Sequence, residues 1–298
     1  MSAVGLVRGE SLDNALPPLV TVVIPTLNSE KTLDGTLKSV AEQTYPRIEV
    51  VLVDGGSCDK TLLIGSRWGA RVIPGRSGRS SARLEGARLA KGEYLLFLDS
   101  DQHSDRELIL ECVRICQIEG VAAVVIPERS VGSGVWVKYH SLEKQLVANS
   151  PDFEYPRFFE KRAYFVSGGH PTEFEDYMED RSLFLRLKQF GWKSGRSRRY
   201  VTNELGKFNI LEFGGKNART ALDARSYYES NPGESPFRVS GARLRSLLMP
   251  TRAVQPRPWD FLLFSIYLFV GYTPRLLISI TGYMGWERAS SVPRPVGR

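Results

Sequence analysis

Histidine and cysteine are scarce in this sequence, and their scarcity argues against some kinds of site. Three histidines and three cysteines occur among 298 residues. The histidines lie far apart along the chain, which argues against a histidine-rich metal site. No Cys-x-x-Cys pair is present, and Cys112 and Cys116 have the spacing of small core residues on one helix face. We therefore predict that the protein works in a reducing compartment.

Two common nucleotide-binding motifs are also absent. No Gly-x-Gly-x-x-Gly follows the first predicted strand, residues 19–24, and the chain has no P-loop sequence. A dinucleotide enzyme and a P-loop NTPase are therefore not predicted. The first residues lack the long apolar core of a secretory signal, so we expect a flexible tail over residues 1–18.

The charge balance is basic, and the rest of the composition is that of a globular protein. Hydrophobic residues account for 42% and charged residues for 24%, which suits a chain with one large domain or two. The net charge of +7 favours anionic partners such as nucleotides, nucleic acid or an anionic membrane surface. Basic residues are spread along the chain apart from a run at 193–199, so nucleic acid is not the partner that we predict.

Apolar runs and helix-spaced apolar residues alternate through the first 126 residues. This alternation predicts a mostly parallel sheet flanked by helices, with right-handed crossovers. We therefore place the chain in the α/β class, with a nucleotide-binding half at residues 19–126. The predicted strands of this half are 19–24, 48–53, 71–73, 94–98 and 121–126. After residue 127 the alternation weakens, and a further strand is predicted at residues 162–166.

The last quarter of the chain is unusually apolar. Residues 259–272 and 276–286 are each shorter than the roughly 20 residues that a membrane-spanning helix needs. Joined, they are long enough, but Pro274 and Arg275 then lie near the bilayer centre, where arginine is costly. We favour two short helices in one membrane leaflet, with a buried hairpin and a kinked spanning helix as alternatives. Five aromatic residues suit a membrane interface: Trp259, Tyr267, Tyr272, Tyr283 and Trp286.

One apolar run ends abruptly at two carboxylates. Residues 94–98 lead into Asp99-Ser100-Asp101, and ligands of open α/β sheets bind beyond the carboxyl ends of the strands. Two carboxylates at this edge suit Mg²⁺ or Mn²⁺, which binds a few carboxylates together with phosphate oxygens of a substrate. The alternative is a solvated turn, since Asp and Ser also favour turns.

Four segments in order resemble the family-two glycosyltransferases of the GT-A fold, over residues 20–191. The segments are Thr21 to Asn28, Asp54-Gly55-Gly56-Ser57, Arg83 through Asp99-Ser100-Asp101, and Glu179-Asp180 through Gly191. The resemblance implies a UDP- or GDP-linked sugar donor, a divalent metal and inversion at the anomeric carbon. With the apolar segment, it implies a lipid-linked or glycan acceptor at the cytoplasmic face of the cell membrane.

The resemblance also implies roles for residues of the donor site. Pro25, Thr26 and Asn28 line the nucleotide pocket, and Asp54 recognises the base. Arg83 matches an arginine in the helix that leads to the metal-binding strand. A turn residue for Asp54 and a solvated helix face for Arg83 are the alternatives.

Metal and base roles follow in the same way. Asp101 matches the direct metal ligand, and Asp99 lies nearer the ribose or in the metal's outer shell. Asp180 matches the catalytic base, in the first turn of a helix whose dipole favours a carboxylate. Asp176, in an earlier Glu-Asp pair, is a rival base, and an acidic N-terminal helix residue with no catalytic task is the alternative for Asp180. We expect His170 to be a surface turn residue, with a contact to the acceptor or a phosphate as the alternative.

The sequence departs from the family pattern in places. Leu84 stands where the family commonly has an asparagine, and no histidine follows His170. No Gln-x-x-Arg-Trp motif follows Asp180, and the absence of this motif argues against a processive synthase. We assign residues 127–250 to an acceptor-binding and catalytic half and residues 251–298 to a membrane-associating segment and tail. A polyprenyl-phosphate sugar synthase and a catalytically silent scaffold of the same fold are the alternative functions.

Overall fold

The computed structural model describes residues 16–75, 78–148, 153–238 and 258–291. The tail predicted for residues 1–18 therefore lies mostly outside the described residues. The strands are β1 (Val20–Thr26), β2 (Ile48–Asp54), β3 (Arg71–Pro74), β4 (Tyr94–Phe97), β5 (Gln102–Ser104), β6 (Ala123–Val125), β7 (Glu128–Ser133), β8 (Pro156–Glu160), β9 (Ser194–Arg196) and β10 (Val201–Lys207).

Helices fill most of the connections between these strands. They are α1 (Leu33–Ala41), α2 (Thr61–Arg67), α3 (Arg79–Leu89), α4 (Leu108–Glu119), α5 (Val135–Val147), α6 (Lys161–Val166), α7 (Glu179–Gln189), α8 (Ile210–Thr220), α9 (Ala224–Ser230) and α10 (Pro258–Ser291). A single 3₁₀ turn, Ala221–Asp223, joins α8 to α9.

A seven-stranded sheet with the order β3-β2-β1-β4-β8-β6-β9 forms the centre of the fold. Strand β1 pairs in parallel with β2 and with β4, so that Val23 lies opposite both Val51 and Phe97. These three side chains are buried, as expected for strands covered by helices on both faces. The predicted α/β class, with its mostly parallel sheet flanked by helices, is confirmed.

A second, three-stranded sheet follows the Asp-Ser-Asp segment, with the order β5-β10-β7. Strand β10 is antiparallel to β5 and parallel to β7. Neither β5 nor β10 was predicted, because their polar residues lack the apolar alternation of a half-buried strand.

The strand predicted at residues 162–166 is wrong, because this segment is helix α6. The strand lies just before it, at β8, which runs antiparallel to both β4 and β6. A short apolar run is ambiguous between strand and buried helix. Here Ala163 and Tyr164 fill the core as part of one helical turn, while Phe158 and Phe159 pack on opposite faces of the sheet.

The apolar C-terminal segment is one continuous helix, α10, and the prediction of two short helices is wrong. Pro274 lies inside it and cannot donate to the carbonyl of Val270. Helix α8 packs against this point: a side chain added at Gly214 would lie 2.6 Å from the Val270 oxygen. The Asn217 amide donates to the carbonyl of Gly271 at 2.9 Å. Packing against α8 therefore supports the helix through its proline.

Residues Leu262–Met284 of α10 are long and apolar enough to cross a membrane, judged by length and composition alone. Tyr267 does not fit the predicted interfacial belt, because it is fully buried within the protein. Its hydroxyl lies 2.8 Å from His140 Nδ1 and donates to Glu143 at 2.7 Å. The protein itself therefore covers part of the apolar surface of α10.

Candidate active site

The loops after β1 and β2 are joined by side-chain hydrogen bonds. Asn28 adopts a left-handed conformation with φ of 49°, which asparagine tolerates. Its backbone N–H donates to Ser57 Oγ at 2.8 Å, and its Oδ1 accepts from the N–H of Cys58 at 2.9 Å. The Thr26 hydroxyl donates to Asp54 at 3.0 Å. The structure thus brings Pro25, Thr26, Asn28 and Asp54 to one edge of the sheet.

Asp54 is engaged by its own loop. Its carboxylate accepts from the hydroxyls of Thr26 and Ser57 at 3.0 and 2.6 Å, and from the N–H groups of Gly56 and Ser57 at 3.0 and 2.8 Å. Burial raises the pKa of Asp54, but these bonds hold the pKa below its ordinary value. Four bonds match the acceptor capacity of a carboxylate. A nucleotide base that bonds to Asp54 therefore has to replace one of them.

Asp99 is bound by two arginines at the end of β4. Arg83 Nη2 donates to its Oδ1 at 2.8 Å, and Arg157 Nη1 donates to its Oδ2 at 3.5 Å. Burial raises the pKa of Asp99, but the charges of Arg83, Arg157 and Arg79 hold it well below its ordinary value. Both oxygens thus face arginines, which weakens the case for Asp99 as a metal ligand.

Asp101 differs from Asp99, because no side chain in the described part of the chain makes a hydrogen bond or ion pair with its carboxylate. Burial and the nearby Asp99 charge raise the pKa of Asp101. A cation would relieve that repulsion, so the site fits Mg²⁺ or Mn²⁺. Among the described residues, no group of three or more His, Cys, Asp or Glu side chains could hold a metal. The substrate and water would therefore supply most ligands.

Arg83 links the Asp-Ser-Asp edge to the Glu-Asp pair of α7. Its side chain is buried, so the alternative of a solvated helix face is wrong. Its Nη1 donates to Asp180 Oδ1 at 3.1 Å and to Glu179 Oε1 at 3.4 Å, while Nη2 binds Asp99. Asp99 and Asp180 lie 16 and 97 positions after Arg83 in the sequence. They therefore meet at one guanidinium.

The two carboxylate oxygens of Asp180 have different surroundings. Oδ1 accepts from Arg83 and from His170 Nε2, each at 3.1 Å, and no hydrogen bond from a described residue reaches Oδ2. Burial raises the pKa of Asp180, but Arg83 and His170 hold it well below its ordinary value. The side chain lines a cleft of about 700 Å³. An ionised carboxylate oxygen is thus available to a molecule in this cleft.

His170 is buried, and the prediction of a surface turn residue is wrong. Its backbone N–H donates to the Tyr164 hydroxyl at 3.0 Å, and that hydroxyl lies 2.9 Å from Nδ1. The hydroxyl can therefore donate to Nδ1 and leave the Nε2 proton for Asp180. Burial lowers the pKa of His170 to about 4, so the ring is neutral at pH 7. No spacing rule in the sequence indicates this contact.

The rival base, Asp176, binds elsewhere. Arg79 Nε and Nη2 donate to one of its oxygens at 3.0 and 2.8 Å. Its neighbour Glu175 accepts from the backbone N–H of Ser81 at 2.9 Å, near the start of α3. Glu175 and Asp176 thus bind the loop before α7 to helix α3, whereas Asp180 borders the cleft.

Arg157 on β8 is a second arginine of the site, and no motif in the sequence predicted it. Besides Asp99, it donates to Gln102 Oε1 at 3.0 Å and to Glu128 Oε2 at 3.2 Å. These partners come from the second sheet, which the sequence did not predict. Arg157 and Glu128 both line the cleft, so both sheets contribute to the site.

Residues 21–178 match the family described as Glycosyl transferase family 2, and the match ends two residues before Asp180. A 91-residue segment is 43% identical to a PGL/p-HBAD biosynthesis glycosyltransferase of Mycobacterium bovis, covering 28% of this chain and 36% of that protein. A 125-residue segment is 30% identical to the poly(ribitol-phosphate) β-N-acetylglucosaminyltransferase TarS of Staphylococcus aureus, covering 39% and 22%. Both matches span well under half of the relative's length.

Two solved structures share the fold across most of the chain. The mannosyltransferase PcManGT from Pyrobaculum calidifontis, in complex with GDP-Man and Mn²⁺, has a TM-score of 0.57 at 19% identity and covers 92% of this chain and 87% of its own. S. aureus TarS in complex with UDP has a TM-score of 0.51 at 17% identity and covers 91% and 92%. At these identities the likeness establishes the GT-A fold alone.

Proposed function

The chain belongs to glycosyl transferase family 2, and we propose that it transfers a hexose from a UDP- or GDP-linked sugar, with inversion, to a lipid-linked or glycan acceptor. One observation carries the proposal: buried Arg83 joins Asp99, at the carboxyl edge of the sheet, to Asp180 in the cleft. We further propose that the reaction takes place at the cytoplasmic face of the cell membrane, and the apolar, partly exposed helix α10 supports the membrane contact.

The donor would lie along the carboxyl edge of the sheet. Residues 19–126 supply the loops with Thr26, Asn28 and Asp54, and Asp101 stands beside them with a carboxylate suited to a divalent cation. Such a cation, when bound, neutralises charge on the departing nucleoside diphosphate. Asp99, held between Arg83 and Arg157, would position the donor rather than bind the metal.

The acceptor would enter the cleft, and residues 127–250 would supply the base. In an inverting transfer, the acceptor hydroxyl attacks from the face opposite the leaving group and loses its proton. Asp180 Oδ2 is the oxygen proposed to take that proton. Its depressed pKa keeps it ionised at neutral pH, and the two donors on Oδ1 hold its orientation.

Calorimetric binding of UDP, GDP and CDP, with and without Mn²⁺, tests the donor site. We expect one nucleotide to bind only with Mn²⁺, and Asp101→Ala to weaken that binding at least about tenfold, because a charged metal ligand is lost. Glu42→Ala, which removes an exposed carboxylate on α1's C-terminal side, is the control. Absence of binding to every nucleotide would favour the silent scaffold.

Asp180→Asn tests the base. We expect transfer to fall by about 10²-fold or more, while nucleotide affinity stays within about twofold of the wild-type value. Asp176→Asn is the matched control and should retain transfer. Unchanged turnover in Asp180→Asn would remove Asp180 from this role. Activity retained only with a polyprenyl phosphate would instead favour a polyprenyl-phosphate sugar synthase, whose acceptor is already anionic.

A further inference from the structure

One face of α10 forms a wall of the cleft that contains Asp180. Its lining residues include Leu268, Tyr272, Arg275, Leu276 and Ser279, at the three- and four-residue steps of a single helix face. Val147 of α5 adds an apolar surface. The cleft therefore joins a charged centre to an apolar wall.

Arg275 differs from the other charged residues of this cleft. Each of the others has an oppositely charged partner: Asp180 with Arg83, Arg157 and Lys144 with Glu128, and Glu154 with Arg196. No carboxylate in the described parts of the chain lies within 4.0 Å of the Arg275 guanidinium. That group stands 5.0 Å from the centre of the Tyr177 ring, three residues before Asp180.

Arg275 is half-buried in an apolar helix and has no carboxylate partner among the described residues, an arrangement that requires a reason because covering an unneutralised charge is costly. We propose that Arg275 binds the phosphate group of an amphiphilic acceptor, whose apolar chain lies along Leu268 and Leu276 and whose hydroxyl meets Asp180. A planar guanidinium suits a phosphate, with which it can form two parallel hydrogen bonds. This assignment rests on the proposed transferase function and adds the class of acceptor.

The apolar chain has a continuous path on α10. Phe269 lines the cleft and is also 68% exposed, so it borders both the cleft and the outer surface of the helix. Leu277, next to the lining residue Leu276, is 59% exposed. An acceptor anchored in a membrane could therefore pass its tail between these side chains. A small hydrophilic phosphate would leave this apolar wall uncovered.

Binding of octyl phosphate, octyl glucoside and inorganic phosphate, each below any micelle-forming concentration, tests the assignment by calorimetry. We expect the wild type to bind octyl phosphate at least about tenfold more tightly than the other two. Arg275→Gln should bind octyl phosphate and octyl glucoside equally, and Arg275→Lys should keep part of the preference. Arg219→Gln removes an exposed arginine of α8 outside the cleft lining and should behave as the wild type.

Some results would overturn the assignment. It fails if Arg275→Gln keeps the wild-type preference, or if the wild type prefers neither alkyl ligand. Inorganic phosphate binding as tightly as octyl phosphate would replace the amphiphile with a free phosphate. Nucleotide binding with Mn²⁺ is measured in the same samples. If the wild type binds no nucleotide, the result counts against the transferase function itself. If the wild type binds a nucleotide but does not prefer octyl phosphate, only the role of Arg275 is rejected. Arg275→Lys keeps the test available if Arg275→Gln does not fold.

Discussion

Asp180 is oriented in the way that a catalytic base requires, since donors occupy one oxygen and leave the other for a reactant. Of the two donors, Arg83 also holds Asp99, and His170 is held in turn by Tyr164. Loss of His170 would leave Oδ1 with one partner and the carboxylate less firmly placed. His170 should also affect the stability of the protein, because its pKa differs between the folded and the unfolded chain.

Acidification should destabilise the protein through His170. Its pKa of about 4 in the folded state is below the ordinary 6.5, so between these values the unfolded chain binds the proton and the folded chain does not. The stabilising effect is therefore present above pH 6.5 and is lost as pH falls towards 4. The loss is about 3 kcal/mol, measurable by urea unfolding at a series of pH values.

His170→Gln is the matched variant, because glutamine can donate a hydrogen bond but does not titrate in this range. The difference in unfolding free energy between wild type and variant should shrink as pH is lowered from 6.5 to 4. A difference that stays constant over this range would contradict a buried neutral histidine.

Helices α8 and α10 approach each other closely at glycines. An added side chain at Gly214 would lie 2.6 Å from the Val270 carbonyl oxygen, and one at Gly271 would lie 2.8 Å from the Phe213 ring. The carbonyl of Val270 is the one that Pro274 cannot bond. The close contact between α8 and α10 thus lies where α10 lacks one backbone hydrogen bond. Disrupting this contact should therefore affect the wall that α10 forms in the cleft.

Gly214→Ala should destabilise the protein by about 1–3 kcal/mol, because the new methyl group must displace backbone atoms. Thermal or urea unfolding measures the effect. Gly215→Ala is the matched control in the same helix, where the nearest atom, at 3.7 Å, belongs to the flexible Arg219 side chain. This control should be neutral or stabilising by up to about 1 kcal/mol. Equal effects of the two variants would contradict the packing of α8 on α10.

The whole molecule exposes an apolar surface along α10. Among the side chains of α10 that the structure describes, the large exposed apolar ones are Leu262, Ile266, Phe269, Leu277 and Met284. Most of their spacings are close to whole helical turns, which gathers them towards one side of the helix. Helices α8 and α9 pack against α10, and α5 contacts it over a smaller area. One side of α10 thus packs on the protein, and its exposed side is the surface that we propose to contact the membrane.

Replacing Phe269 and Leu277 together by serine should weaken binding to vesicles of phosphatidylcholine and phosphatidylglycerol. Each large apolar side chain contributes roughly 1.5–3 kcal/mol when buried, so the double variant should lose at least about tenfold in affinity by cosedimentation. Ile118→Ser removes an even more exposed apolar residue from α4 and should have no effect. Unchanged binding of the double variant would exclude this surface as the membrane contact.

Local features of the sequence were enough to predict the α/β class, most strands of the central sheet and the positions of its sheet-edge carboxylates. These features depend on local signals, namely apolar runs of strand length and the turns that end them. Asp99 and Asp101 could be predicted to lie at the sheet edge, because a strand end and the loop that follows it are neighbours in sequence. Asp180 was found by its place after three other motifs, and its match remains a proposal.

Which side chains meet depends on the tertiary packing of distant segments. His170 and Arg157 belong to no motif, and their partners come from segments that are brought together by the crossovers and by the second sheet. Helix α10 is continuous because α8 packs beside its proline, a contact between residues more than 50 positions apart. Local patterns specify local conformation, whereas such contacts depend on how distant elements pack. The environments of His170 and Arg275 were therefore visible only in the fold.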